Sequence, residues 1–141
     1  GAAAILVMSD SKALELNLKP LAKIIAQASV AHEPEWFTTA PGKAISKVLD
    51  KVNFTADDID LWEINEAFSS VTMAAIDDFN IDPAKVNIYG GAVAIGHPIG
   101  ASGARIFTTL LNGLNRTDGK YGLATLCIGG GEASAIIVEK I

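Results

Sequence analysis

Two rhythms of apolar and polar positions alternate along this chain: short unbroken apolar runs, and stretches in which apolar residues recur three or four apart. Residues 2–8 are wholly apolar, as in a strand buried on both faces. Ser9 and Asp10 offer N-caps for a short helix through Leu16 that stops at Asn17. Pro20 opens a second β-rich run over residues 21–31, and residues 32–40 (HEPEWFTTA) have no period and predict a loop that carries His32 as an exposed histidine.

From Pro41, the positions Ala44, Ile45, Val48, Leu49 and Val52 form one face of an amphipathic helix. Thr55 and Asp58 suit a short capped turn, and residues 59–64 (IDLWEI) predict a third strand. That strand runs into a helix opened by Asn65, Glu66, Ala67 and Phe68 and continuing to Phe79. Residues 86–89 predict a fourth short strand, and Pro98 suits the first turn of a helix over residues 99–115. Asn112, Gly113, Asn115 and Asp118-Gly119 predict a turn, and residues 121–128 and 133–139 two closing strands, joined as a hairpin across Gly129, Gly130 and Gly131. Strands alternating with helices imply one α/β layered domain, with a mostly parallel mixed sheet of about five strands and an antiparallel member.

Composition narrows the partners. With 141 residues and 50% hydrophobic content the chain can bury one ordinary core. Eleven basic against sixteen acidic residues, with no basic cluster, argue against a nucleic-acid or acidic-membrane surface and leave small molecules or proteins. A single cysteine excludes an internal disulfide and fits a reducing compartment. No apolar run reaches the length of a membrane span. The opening GAAAILVM reads as the middle of a strand, so a piece of a longer protein is expected.

The chemistry concentrates in residues 90–105, GGAVAIGHPIGASGAR. Pro98 keeps His97 out of helical geometry, on a loop at a helix mouth whose first turn is built from small residues. Gly91 and Gly96 have the gap of a phosphate-binding loop, but His97 and Pro98 stand where Lys and Ser/Thr are needed, which excludes that reading. Asn65, His97 and Cys127 each follow or end a predicted strand, and in open α/β sheets such ends converge on ligands. A histidine beside a cysteine raises its thiolate fraction, and the glycines after Cys127 leave N–H groups bare for an oxyanion. Each feature also has a plain counterpart: a packing seam of small residues, a core histidine, an inert buried cysteine, a flexible turn. As residue types Asn65, His97 and Cys127 also admit a Cys-His-Asn hydrolase, or a silent domain that only packs against a partner.

NEAF at 65–68, GGAVAIGHPIGASGAR at 90–105 and CIGGG at 127–131 resemble, in order and spacing, the three C-terminal signature segments of the thiolases. The flanking strings DLWEINEAFS and KVNIYGGAV look most like the acetoacetyl-CoA thiolases, in particular the animal mitochondrial type; Ile128 and Tyr89 depart from that type. The resemblance implies an α/β/α C-terminal domain whose N-terminal and loop domains, nucleophilic cysteine and most of the coenzyme A pocket lie outside this chain. It makes Cys127 the acid/base, His97 and a water held by Asn65 the stabilisers of an enolate oxygen, and the Gly129 N–H half of a second oxyanion hole. Phe68 and Ala67 become pocket wall, and the Val93 carbonyl a ligand of a potassium ion. The expected reaction condenses two acetyl-CoA to acetoacetyl-CoA, or runs as thiolysis, with no covalent cofactor, in a mitochondrial homodimer or homotetramer serving lipid and ketone-body metabolism; cytoplasmic or peroxisomal location and a 3-ketoacyl-CoA thiolase of broader chain length are the alternatives. The fragment alone is expected to be inactive.

Overall fold

The computed structural model describes residues 1–141. Its elements are α1 (Asp10–Glu15), β1 (Ala22–Ala31), a 3-10 turn (Pro34–Thr39), α2 (Ala40–Asp50), β2 (Leu61–Ile64), α3 (Ser69–Phe79), α4 (Ala92–Ile95), α5 (Ser102–Thr117), β3 (Tyr121–Ile128) and β4 (Glu132–Lys140). The strands form one sheet in the order β1-β4-β3-β2, with helices on both faces.

A period of two sorts the side chains between those faces. Trp62, Ile64, Leu123, Ala135 and Ile137 join the core under α2 and α3, with Ile45, Val48 and Leu49 from α2. Leu61, Ala124 and Val138 point the other way, against Ile106, Phe107, Leu110 and Leu114 of α5. Glu63 therefore falls on the α5 side although it is only 3% exposed. Along the outer edge of β1, Lys47 donates to the Ser29 carbonyl at 2.9 Å and Lys51 to that of Gln27 at 2.7 Å. Two helix lysines thus occupy acceptors that would otherwise invite another strand.

Helices α1 and α2 and the hairpin fall where the pattern predicts, α4 was not predicted, and the other differences have local causes. Residues 2–8 form no strand, with Leu6 79% and Val7 66% exposed. Both sheet edges are taken: Lys47 and Lys51 line β1, while Val86 bridges to Trp62 outside β2. The predicted strand at 86–89 shrinks to that bridge because Asn87 turns left-handed (φ 46°). Its side chain instead accepts from Ile64 N at 2.9 Å and donates to Ile64 O at 2.8 Å, completing the edge in place of backbone. The sheet consequently has four strands rather than five and is mostly antiparallel: only β2 and β3 run parallel, since β4 returns from β3 as a hairpin and β1 pairs antiparallel with β4.

Helix α3 begins at Ser69, not at Asn65, because Asn65 N still donates to Thr125 O at 3.0 Å and prolongs the β2–β3 ladder. Helix α5 begins at Ser102, after Ala101 N and Ser102 N have both turned back to Pro98 O. It continues through Gly113, where a turn was predicted; a Cβ there would approach Leu61 to 3.0 Å, so this glycine serves packing. Residues 34–39 of the predicted loop wind into the 3-10 turn.

Candidate active site

The carboxyl ends of β2 and β3 lie side by side, and the three signature segments meet there. Ile64 pairs with Thr125, so Asn65 leaves β2 level with the stretch that ends in Cys127. The segment carrying His97 is tied to the same corner by Glu66. Its Oε2 accepts from Val93 N at 2.9 Å in the first turn of α4, and its Oε1 accepts from Asn87 Nδ2 at 3.0 Å. A Cβ at Gly91 would lie 2.6 Å from the Glu66 carboxylate, so a larger residue there would have to displace that side chain.

His97 is half-buried, and both of its ring nitrogens are engaged. Nδ1 lies 2.5 Å from Ser102 Oγ, and Nε2 lies 3.4 Å from Asn65 Nδ2. The far side of the Asn65 amide is fixed too, since Oδ1 accepts from Arg105 Nη2 at 3.5 Å. Two arrangements of protons satisfy the Ser102 contact, and only the first also satisfies the contact with Asn65. In one, Nδ1–H donates to Ser102, whose hydroxyl donates to Pro98 O at 3.2 Å, and Asn65 donates to a bare Nε2. In the other, Ser102 donates to Nδ1, and the ring carries its proton on Nε2. Two N–H donors then face one space with no protein acceptor between them, which is the arrangement that receives an oxyanion.

Cys127, the last residue but one of β3, is 8% exposed and forms no hydrogen bond with His97 or Asn65. Burial pushes its thiol up, opposed by a backbone hydrogen bond that pulls it down, so within this chain it rests as a thiol. After it the hairpin loop is bare. Gly129 N–H donates to no backbone carbonyl, and a Cβ on Gly129 would meet nothing within 4 Å. Gly130 and Gly131 take positive φ (96° and 87°), and a Cβ on Gly131 would strike the His32 carbonyl at 2.4 Å. His32 is not on an exposed loop as expected: its backbone N–H donates to Gly131 O at 3.1 Å and clamps the hairpin, with its Nε2 buried.

Phe68 stands 60% exposed beside the site and packs edge-on against Phe37 at 6.0 Å, with the half-buried Ala67 before it. Val93 is exposed, and its carbonyl accepts no backbone N–H outside α4. No cluster of three acidic, histidine or cysteine side chains accompanies it, and the resemblance that names it a potassium ligand places the other ligands outside this chain.

The sequence reading named Asn65, His97, Cys127 and Gly129 but passed over Glu63, Glu66 and Arg105, and took Ser102 only as a small residue. A charged residue inside the apolar run LWEI was the available sign for Glu63. The arrangement also weakens the hydrolase alternative. Cys127 precedes a hairpin rather than a helix, and it makes no hydrogen bond with His97, the base that a triad needs beside its thiol.

The model of the family "Thiolase, C-terminal domain" matches residues 18–140. An acetyl-CoA acetyltransferase of Yarrowia lipolytica is 53% identical over 141 residues, covering 100% of this chain and 35% of that protein. Relatives of 51% and 48% identity over the whole chain, covering 33% and 36% of their lengths, are named mitochondrial in Bos taurus and cytosolic in Gibberella zeae. Among solved structures, the Bacillus anthracis acetyl-CoA acetyltransferase superposes with TM-score 0.92 at 41% identity, over 95% of this chain and 34% of that one. Human mitochondrial 3-ketoacyl-CoA thiolase in complex with CoA does so with TM-score 0.91 at 38% identity, over 94% of this chain and 34% of that one. This chain thus spans about a third of the length of the curated relatives it matches. From its first strand to its last, it belongs to the thiolases as their C-terminal domain.

Proposed function

We propose that this domain is the C-terminal half of the active site of an acetyl-CoA C-acetyltransferase, which joins two acetyl-CoA into acetoacetyl-CoA and CoA and runs the reverse thiolysis. The observation that carries the reading is the 3.4 Å approach of Asn65 Nδ2 to His97 Nε2, two donors side by side in the Nε2–H tautomer, at the strand ends where Cys127 and the free Gly129 N–H also emerge. The names and identities of the relatives support the acetyl substrate, and a CoA-bound structural neighbour supports a CoA thioester.

In this reading the other half of the enzyme supplies the nucleophilic cysteine, which takes the first acetyl group as a thioester and releases CoA. Cys127, as thiolate, removes a methyl proton from the second acetyl-CoA; the carbonyl oxygen gains the charge and lies against His97 Nε2–H and the Asn65 amide, directly or through water. The enolate carbon attacks the acetyl-enzyme carbonyl, and the tetrahedral oxyanion is held by Gly129 N–H with a second donor from the other half. Collapse expels the nucleophilic cysteine, which takes back the proton from Cys127. Burial pushes the Cys127 thiol up in this chain, so the thiolate has to be favoured by groups that the assembled site adds; the isolated domain, which lacks the nucleophilic cysteine, is inactive. Phe68 and Ala67 line the acyl pocket, and the enzyme works as a dimer or tetramer in mitochondria, in keeping with the mitochondrial relative.

The test uses the full-length enzyme carrying Cys127→Ser, incubated with acetyl-CoA in heavy water. Covalent acetylation, read by intact mass, should persist, while methyl deuteration falls on the order of a hundred- to ten-thousand-fold. An acetyl group mapped to Cys127 in the parent enzyme would make it the nucleophile and overturn the assignment.

A further inference from the structure

Glu63 and Arg105 have no part in the reaction just described, yet they are built into the site from behind. The β2 segment LWEI is buried at every position, and its alternation turns Glu63 toward α5, where Arg105 sits in the first turn. Arg105 Nη1 lies 3.5 Å from Glu63 Oε2, and Nη2 lies 3.5 Å from Asn65 Oδ1. Glu63 is 3% exposed and Asn65 1%. This is not the two-bonded fork of a purely structural Arg–Glu pair: one terminal nitrogen serves the carboxylate and the other serves the amide.

An asparagine amide has nearly the same shape either way round, so its neighbours must decide which end faces the site. Turned over, Asn65 would present its oxygen to His97 Nε2–H, capture that proton and close the space meant for the substrate oxygen. A cation behind Oδ1 forbids this. Resting on the reading of Asn65 and His97 as the oxyanion site, we infer that the buried Glu63–Arg105 pair is a positioning unit that holds the Asn65 amide with its NH2 toward the reacting carbonyl. Glu63 holds the guanidinium in place and offsets its charge, and Arg105 acts on the chemistry only through Asn65.

The experiment compares Arg105→Gln, Asn65→Ala and the double variant in the full-length enzyme. It measures methyl deuteration of acetyl-CoA in heavy water, covalent acetylation, and KM for acetyl-CoA. Arg105→Gln should slow deuteration by about ten- to a hundredfold, the cost of a misplaced catalytic group. Acetylation and KM should stay near the parent values. The double variant should fall no lower than Asn65→Ala alone, because an effect exerted through Asn65 vanishes once that side chain is gone. Glu63→Gln should show a smaller loss with the same dependence on Asn65. Losses that multiply in the double variant, or parent-like deuteration in Arg105→Gln, would overturn the inference. Should Arg105→Gln not fold, Arg105→Lys carries the same comparison, since it keeps a charge beside Glu63 but cannot span both groups. If Asn65→Ala itself deuterates like the parent, the oxyanion reading fails and the inference with it; if only the arginine variants do, the inference fails alone.

Discussion

Ser102 Oγ lies 2.5 Å from His97 Nδ1, and the direction of that one hydrogen bond decides whether the far nitrogen of the ring can donate. When the hydroxyl donates, Nε2 keeps the proton and faces the substrate space. When it turns to Pro98 O instead, Nε2 is bare and accepts from Asn65. Ser102 is fully buried, so no solvent competes for the contact.

Ser102→Ala should therefore impair the enolate step without touching acylation. In the full-length enzyme, deuterium exchange should fall by roughly tenfold or more, as expected when an oxyanion donor is lost from part of the population. Nitrogen-15 NMR of the labelled histidine should show the proton shifting between ring nitrogens. An unchanged tautomer together with unchanged exchange would show that Ser102 is only a packing residue.

His97→Ala in the same enzyme removes the donor outright. About a hundred- to a thousand-fold loss of turnover is expected, with KM for acetyl-CoA little changed, because the histidine meets charge that develops only during reaction. Normal turnover with a raised KM would make His97 a binding residue.

Glu63 should leave a mark on stability against pH. Burial raises its carboxyl from 4.5 to about 7; the Arg105 charge pulls it down and the Glu66 charge pushes it up. Between those two values the folded chain holds a proton that the unfolded chain has released. Stability should consequently be highest at the acid end of the window, fall as pH rises toward 7, and level off above it, a change on the order of 3 kcal/mol. Glu63→Gln, neutral throughout, should lack this component when urea unfolding of parent and variant is compared from pH 5 to 8. Parallel curves would refute it.

The hairpin offers a contrast within one loop. Gly131→Ala places a Cβ 2.4 Å from the His32 carbonyl at a φ of 87°, and should cost on the order of 2–4 kcal/mol. Gly129→Ala adds its methyl to open space at an ordinary φ and should stay within about 0.5 kcal/mol in thermal unfolding. Equal losses would mean that the contact with His32 is not what fixes the turn.

What the sequence showed and what it hid divide along a physical line. Amphipathic spacing exposed α2, and apolar runs bounded by turn residues exposed β1, β2, β3 and β4, because burial of a face repeats with the geometry of the element. The run at 2–8 misled because strand formation needs a partner edge, and edges are a property of the whole sheet. Residues 86–89 misled because the Asn87 side chain replaces backbone pairing, which no apolar count registers. At the site, His97 and Cys127 stood out by residue type. Arg105 did not, since its meaning comes from reaching across to Glu63 and Asn65, 42 and 40 positions earlier.

The pairing of Ala22 with Lys140 has a consequence for how the domain is made. The first strand waits for the last one, roughly 120 residues later in the chain, and at a synthesis rate of about 5–20 residues per second that wait is on the order of ten seconds. During it β1 has neither its β4 neighbour nor a finished sheet beneath it. Such distant pairing slows folding, and a ribosome that stalls before β4 has emerged holds a chain whose sheet cannot close. Emergence of β4, rather than collapse of the core, is then the event that completes the sheet.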